Sequence, residues 1–139
     1  MAKYIRSIEE VQDSLNQAKE LAKSSETAII NSQIWAEGKV NKTRRYMAET
    51  GINDHDIRSV IQELSIENYC ATKDDRNPNF PKEEVWEFGI TKNLVDQDEN
   101  LYIKLKIRVW EERYLLIMSF HPEEPIKSEH KLSFPYKEK

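Results

Sequence analysis

A run of alternating chemistry lies at residues 101–121, which read LYIKLKIRVWEERYLLIMSFH. Tyr102, Lys104, Lys106 and Arg108 occupy every second position, and the following apolar run ends at His121. A phenol, ammonium groups, a guanidinium and an imidazole on one surface could bind a phosphate and move a proton. The structural alternative is a solvated strand face, on which alternating lysines also discourage edge-to-edge aggregation. Both interpretations depend on which elements position these side chains.

The period-two pattern predicts a β-hairpin. Leu101, Ile103 and Leu105 alternate with the polar residues, which is typical of a half-buried strand. We expect strands at 84–90, 101–110 and 113–121, with the hairpin turn at residues 111 and 112. In that register the opposed pairs share a sheet face, about 5 Å apart between Cβ atoms, and they are Trp110 with Arg113, Lys104 with Ser119, and Tyr102 with His121.

Four helices are predicted before the strands. Ser7 and Glu10 have the spacing of a capping box, which begins a helix that runs to about residue 24. A second helix is expected at 26–37. Asn41 begins a third helix, which Gly51 ends, and the fourth begins at residue 53 or 54. Residues 70–84 are rich in Asp, Asn, Pro and Lys, which predicts an exposed loop.

Composition places the chain among folded, single-domain proteins. It has 139 residues, of which 33% are charged and 38% hydrophobic, and this length is suited to one core. The net charge of -4 argues against indiscriminate nucleic-acid binding, because that binding depends mainly on cations. Residues 101–139 are nevertheless more basic than acidic, so a local site for an anionic ligand remains compatible with the sequence.

The cellular setting is predicted from what the sequence lacks. Cys70 is the single cysteine, so an intrachain disulfide is impossible and thiol chemistry gives secretion no support. No apolar run approaches the roughly 20 residues of a membrane span. The first twelve residues also lack the apolar core of a signal peptide. We therefore expect a cytoplasmic protein that does not enter a membrane.

Three segments taken together resemble the MqsR family of bacterial toxins, within the wider RelE-like group of mRNA interferases. The segments are EVWEFG at 84–89, LYIKLKI at 101–107 and IMSFHPEE at 117–124, and TGINDHDIRSVIQELSIENY at 50–69 resembles the element before the family's sheet. The resemblance covers 36–137 and leaves 1–35 as an N-terminal helical extension of a single domain, 1–139. It implies an α+β fold, with N-terminal helices packed on a small antiparallel sheet.

The resemblance also implies a function. Members are toxins of type II toxin–antitoxin systems, which cleave mRNA without a metal and are inhibited by a cognate antitoxin protein. We expect mRNA, free or on the ribosome, and such an antitoxin as partners, and no cofactor. The family's functional polar position after the strand Trp corresponds to Glu87, its functional Tyr to Tyr102, and its basic residue after Ser-Phe to His121.

The remaining site residues follow less directly. The family's lysine near the end of the preceding helix has Cys70 or Ala71 in its place, and Lys73 is the nearest lysine. Lys104 is added from the hairpin geometry. In this hypothesis Glu87 or His121 is the general base and His121 or Tyr102 the general acid. The RNA phosphates are held by the remaining basic side chains, Lys73, Arg76, Lys104, Lys106 and Arg108.

Two other classes of protein compete with this hypothesis. The first is a non-enzymatic binding module of the helix-turn-helix type, because residues 41–64 read as two helices around a glycine turn. Such a module contacts DNA with the start of its second helix, and the sequence NDHD at that position would repel a DNA backbone. The other alternative is a catalytically inactive RNA- or protein-binding regulatory module, which the poor lysine match favours. A metal site is not predicted, because His121 and Glu123 lack a recognised ligand spacing.

Overall fold

The protein is an α+β structure with three helices and five strands among the residues that can be described. The structure is a computed structural model, and it describes residues 3–30, 41–75, 83–123 and 132–137. In chain order the elements are α1 (Ile8–Leu21), β1 (Ala28–Ile30), α2 (Lys42–Thr50), α3 (Asp54–Gln62), a 3-10 turn (Ile66–Asn68), β2 (Tyr69–Asp74), β3 (Glu84–Asn93), β4 (Asp98–Trp110) and β5 (Glu112–Pro122).

The helix boundaries follow the capping residues. The Ser7 hydroxyl accepts a hydrogen bond from the Glu10 N–H, and the Glu10 carboxylate accepts one from the Ser7 N–H, which confirms the predicted capping box. Asn41 caps α2, and Gly51 ends it with a φ of 78° that glycine adopts readily. Asn53 begins α3 through a second capping box. Each cap satisfies backbone N–H groups that would otherwise lack a partner.

The helices pack their apolar stripes on one face of the sheet. Val11 and Leu15 of α1 and Ile57 of α3 are fully buried. They join a single core with sheet residues such as Phe88 and Ile103. Full burial of an aliphatic or aromatic side chain of this size stabilises the fold by about 1.5–3 kcal/mol. The helix α1 therefore belongs to the same core as the sheet.

The five strands form one mixed sheet in the order β1, β5, β4, β3, β2. The strand β1 pairs in parallel with β5, so that Ile29 lies opposite Leu116, whereas the other neighbours are antiparallel. The predicted helix at 26–37 is thus wrong for residues 28–30, and its end lies outside the described residues. The expected antiparallel sheet is also wrong in this respect, because β1 makes it mixed.

The strand β2 replaces the first part of the predicted loop. Residues 69–74 pair with β3, and Tyr4 extends the sheet by one bridge to Thr72. The prediction of a loop at 70–84 is therefore wrong at its two ends, 70–74 and 84, and residues 76–82 lie outside the described part. The sequence favoured a loop because only two of the residues at 70–74, Cys70 and Ala71, are apolar.

The hairpin of β4 and β5 has the predicted register over its functional part. Tyr102 lies opposite His121 and Lys104 opposite Ser119, as expected. Near the turn the register differs by one residue, because Glu111 alone connects Trp110 to Glu112 and has a φ of 63°. The extra residue Met118 restores the predicted register as a β-bulge.

The C-terminal tail, residues 132–137, packs against the sheet. A Cβ added at Gly89 would lie 2.7 Å from Leu132 Cδ1 and 2.9 Å from Phe134 Cζ, so glycine allows the tail to approach β3 closely. The ring of Tyr136 stacks on Tyr69 at 5.9 Å between centroids. Its hydroxyl donates to the carbonyl oxygen of Arg6. The tail thereby joins the sheet to the N-terminal segment.

Candidate functional site

The candidate site lies on the sheet face that points away from the helices. Along the strands, Glu87, Tyr102 and His121 alternate with Phe88, Ile103 and Phe120 of the core. The register places Glu87 opposite Lys104 and Tyr102 opposite His121. With two lysines that reach the same carboxylate, these residues form what we call the polar cluster: Lys3, Lys73, Glu87, Tyr102, Lys104 and His121.

Glu87 is the centre of the polar cluster. Its side chain is only 2% exposed, and it is therefore shielded from solvent. One carboxylate oxygen, Oε1, lies 2.7 Å from Lys3 Nζ, and the other, Oε2, lies 3.8 Å from Lys73 Nζ. Oε2 also accepts a hydrogen bond from the Tyr102 hydroxyl. A buried carboxylate needs such partners, because burial without them costs several kcal/mol.

These partners keep Glu87 ionised. Burial alone would raise its pKa, but the hydrogen bonds from Lys3 and Tyr102 and the charges of Lys3 and Lys73 outweigh burial, so the pKa lies below its ordinary value. The side chain is a carboxylate at neutral pH. Because it is buried and occupied by its partners, Glu87 is placed to orient neighbouring groups rather than to touch a substrate.

Tyr102 connects Glu87 to His121. Burial raises the pKa of the Tyr102 phenol, and the hydrogen bond to Glu87 and the Glu87 charge raise it further. The phenol thus stays protonated at neutral pH and donates a hydrogen bond to the Glu87 carboxylate. The Tyr102 ring lies 5.6 Å from the His121 ring between centroids, at an interplanar angle of 51°. This contact holds the imidazole at the edge of the polar cluster.

His121 has a defined tautomer in its neutral form. Its Nδ1 lies 2.9 Å from the carbonyl oxygen of Pro122. A carbonyl oxygen can only accept a hydrogen bond, so Nδ1 carries the proton and the basic lone pair is on Nε2. Histidine side chains can accept or donate a proton near neutral pH. His121 is the residue of the polar cluster whose chemistry is best suited to proton transfer.

Lys73 and Lys104 bring positive charge to the same face. Burial lowers the pKa of Lys104, and the nearby Lys73 charge lowers it further, while Glu87 opposes the change. The polar cluster contains three ammonium groups, from Lys3, Lys73 and Lys104, and one carboxylate, from Glu87. When all four groups are ionised its formal charge is +2, which favours an anionic ligand.

Lys106 and Arg108 lie in a separate ion-pair network. Lys106 is 3% exposed, pairs with Asp75, and lies 2.8 Å from Glu83 Oε1. Arg108 binds both carboxylate oxygens of Glu83, at 3.2 Å and 3.1 Å. Burial would raise the pKa of Glu83, yet these cations hold it below its ordinary value. Both predicted RNA contacts are thus engaged with carboxylates, and Arg76 lies outside the described residues.

Lys3 belongs to the polar cluster but was not predicted from the sequence. This residue is 51% exposed and comes from the segment before α1. Backbone hydrogen bonds of 2.8 and 2.9 Å between Tyr4 and Thr72 hold that segment along the outer edge of β2. No local pattern links residue 3 to residue 87. Only the pairing of the N-terminal segment with the sheet brings the two charges together.

Cys70 lies beside the polar cluster as a protonated thiol. Burial, together with a smaller contribution from the Glu87 charge, raises its pKa to about 12. A thiol in this state is a poor nucleophile at neutral pH. Among the described residues, no group of three or more His, Cys, Asp and Glu side chains is arranged to hold a metal ion.

Two further observations bear on the site and its setting. No helix in the described ranges is long and apolar enough to cross a membrane. Comparisons with protein-family models, curated proteins and solved structures found no match to this chain.

Proposed function

We propose that this chain is a metal-independent endoribonuclease that acts as the toxin of a type II toxin–antitoxin system. The observation that carries the proposal is the polar cluster, in which His121 contacts Tyr102 while Lys73 and Lys104 surround the same face. RNA cleavage by its own 2'-hydroxyl requires a proton acceptor, a proton donor and positive charge at the phosphate. The cluster contains all three kinds of group.

His121 is the proposed catalytic residue for both proton transfers. Its Nε2 takes the proton of the 2'-hydroxyl while the 2'-oxygen attacks phosphorus. The bond between phosphorus and the 5'-oxygen then breaks, and the imidazolium returns the proton to that leaving oxygen. The products are a 2',3'-cyclic phosphate and a free 5'-hydroxyl, so protons and bonds balance. A positioned acid–base group of this kind contributes about 10²- to 10⁴-fold to a rate.

Lys73 and Lys104 are proposed to stabilise the negative charge that develops on the phosphate. Glu87 and Tyr102 are positioning residues in this scheme, since Glu87 is buried and the Tyr102 hydroxyl donates its hydrogen bond to it. They hold His121 and Lys73 in place through the contacts described above. The sequence left the general base open between Glu87 and His121 and the general acid open between His121 and Tyr102. This proposal gives both roles to His121, and it leaves Lys106 and Arg108 in their network with Asp75 and Glu83.

The biological setting is inferred from the resemblance to the MqsR family and the RelE-like fold it implies. The substrate would be mRNA, either free or on the ribosome, in the cytoplasm. The inhibitor would be a cognate antitoxin protein. The α+β architecture is compatible with that resemblance, and the basic face near His121 offers the surface on which single-stranded RNA would lie.

The direct test is product analysis. Purified protein is incubated with a 5'-labelled single-stranded RNA in the presence of EDTA, and the new ends are identified by mass spectrometry. We expect cleavage with 2',3'-cyclic phosphate and 5'-hydroxyl ends. Cleavage that EDTA abolishes, or products with 5'-phosphate ends, would contradict the proposed mechanism.

A binding module without catalysis is the second candidate. It is favoured by the engagement of Lys106 and Arg108 with carboxylates, which leaves fewer cations for the substrate. In that case the protein would bind the same RNA in a gel-shift assay and leave it intact after prolonged incubation. Intact RNA from a folded protein would therefore select this candidate over the endoribonuclease.

A further inference from the structure

A polar pocket of about 540 Å³ adjoins the polar cluster. His121 lines it from the end of β5, together with residues of α2, of the connection between β3 and β4, and of the beginning of β4. The lining residues that matter for recognition are Lys42, Arg45, Tyr46, Glu49 and Glu99. The volume falls within the range of about 300–1,000 Å³ that is usual for small-molecule sites.

The charges of the pocket are of both signs. Lys42 and Arg45 belong to the first half of α2, and they suit a phosphate. Glu49 and Glu99 can only accept hydrogen bonds when ionised, and therefore suit N–H groups. The Arg45–Glu49 ion pair spans 3.7 Å between two side chains that are more than 60% exposed. Such a pair contributes little energy, so a ligand can replace it.

Glu99 has a fixed orientation. The Tyr46 hydroxyl donates to Glu99 Oε1 at 3.1 Å, and the Tyr46 residue is 6% exposed. Burial raises the pKa of Tyr46, and the bond to Glu99 raises it further, so the phenol remains a donor at neutral pH. A carboxylate accepts about four hydrogen bonds in all. Glu99 is thus oriented by the protein and retains the capacity to accept from a ligand.

We propose that this pocket binds a nucleotide whose base carries an exocyclic amine, next to the phosphate that His121 faces. A carboxylate accepts from the amine of cytosine, whereas the carbonyl oxygen at the same position of uracil would repel it. As a subsite of the RNA-cleaving centre, the inference rests on the proposed function. As a nucleotide pocket it can be tested without any cleavage.

The experiment compares cytidine and uridine monophosphates, which differ in the group at position 4 of the ring and in whether N3 carries a hydrogen. Each is titrated into the full-length ¹⁵N-labelled protein, and binding is followed through the amide signals of Thr50, Val95 and Gln97, which line the pocket. We expect cytidine monophosphate to bind about tenfold more tightly. Equal affinities, no binding of either nucleotide, or shifts confined to other surfaces would overturn the inference.

The Glu99→Gln variant identifies the residue responsible. Glutamine keeps an oxygen for the Tyr46 hydroxyl, so the pocket should retain its shape, but its amide group can also donate to uracil. We expect the preference for cytidine to fall below about twofold, while the exposed control Glu20→Gln keeps it. Preference retained in Glu99→Gln would overturn the inference. Preferential binding of cytidine monophosphate by a protein that does not cleave RNA would support the nucleotide pocket and refute only the proposed function.

Discussion

Glu87→Gln removes the negative charge at the centre of the polar cluster with almost no change in volume. Tyr102 keeps an oxygen acceptor, but the Lys3 and Lys73 ammonium groups lose their counter-charge. Hydrogen bonds to charged groups contribute about 1.5–3 kcal/mol. The 3–5 kcal/mol typical of breaking a fully buried pair should not be reached, because Lys3 is 51% exposed. We therefore expect the free energy of unfolding to fall by about 1.5–3 kcal/mol at pH 7.

The loss of stability in Glu87→Gln should depend on pH, in a direction set by the pKa of Glu87. The pKa of Glu87 is lower in the folded protein than its ordinary value, in spite of burial, because Lys3 and Tyr102 bind the carboxylate. Its contribution to stability is present above the unfolded pKa of about 4.3 and is lost as the pH falls through the folded value. The deficit of the variant should be greatest near neutral pH and should shrink below about pH 4.

Urea denaturation at pH 7 and pH 3 measures both effects. The matched control is Glu63→Gln, which breaks an ion pair with Lys92 at the same 2.7 Å, but whose carboxylate side chain is 52% exposed. We expect that control to lose less than about 1 kcal/mol. The reasoning would be refuted if Glu87→Gln lost no more than Glu63→Gln, or if its deficit were equally large at pH 3.

Three further predictions follow from the same structure. Lys73→Ala and Lys104→Ala should each reduce the slope of log RNA affinity against log salt by about 0.7, whereas Lys23→Ala should leave the slope unchanged. The measurement is filter binding at several salt concentrations, and a wild-type slope in the Lys73 and Lys104 variants would contradict their assignment to the phosphates. Gly89→Ala should displace the C-terminal tail and lower the unfolding free energy by about 1–3 kcal/mol, and limited proteolysis should release the tail faster; unchanged release would contradict the tight packing. Ser7→Ala should cost about 1 kcal/mol by loss of the α1 cap, measured by urea denaturation, and no change would refute the role of the capping box.

Where local pattern determined the outcome, the sequence was informative. The alternation of Leu101, Ile103 and Leu105 with polar residues predicted the two faces of β4, because side chains in a strand alternate by geometry. The facing of Tyr102 and His121 was also predicted. That success depended on two features that shift the register of β4 and β5 in opposite directions. The turn at Glu111 is one residue shorter than predicted, and the bulge at Met118 adds one residue to β5 and restores the predicted pairing. Neither feature has a glycine or an Asn-Gly pair to announce it.

The rest depended on contacts between distant segments. The three residues of β1 form a strand because they pair with β5, and nothing local distinguishes them from a short helical stripe. Lys3 reaches Glu87 through the pairing of Tyr4 with Thr72. The engagement of Lys106 with Asp75 and Glu83 was likewise hidden, since alternation predicts a common face but not the partners on it.

The central claim is that His121 transfers protons during RNA cleavage, and one rate comparison tests it most directly. The single-turnover cleavage rate of a defined RNA is measured in EDTA for the wild type, for His121→Ala and for His55→Ala, which removes an exposed histidine of α3. We predict at least a hundredfold loss for His121→Ala, with circular dichroism unchanged, and a rate within about twofold of the wild type for His55→Ala. Equal rates for wild type and His121→Ala would contradict the account.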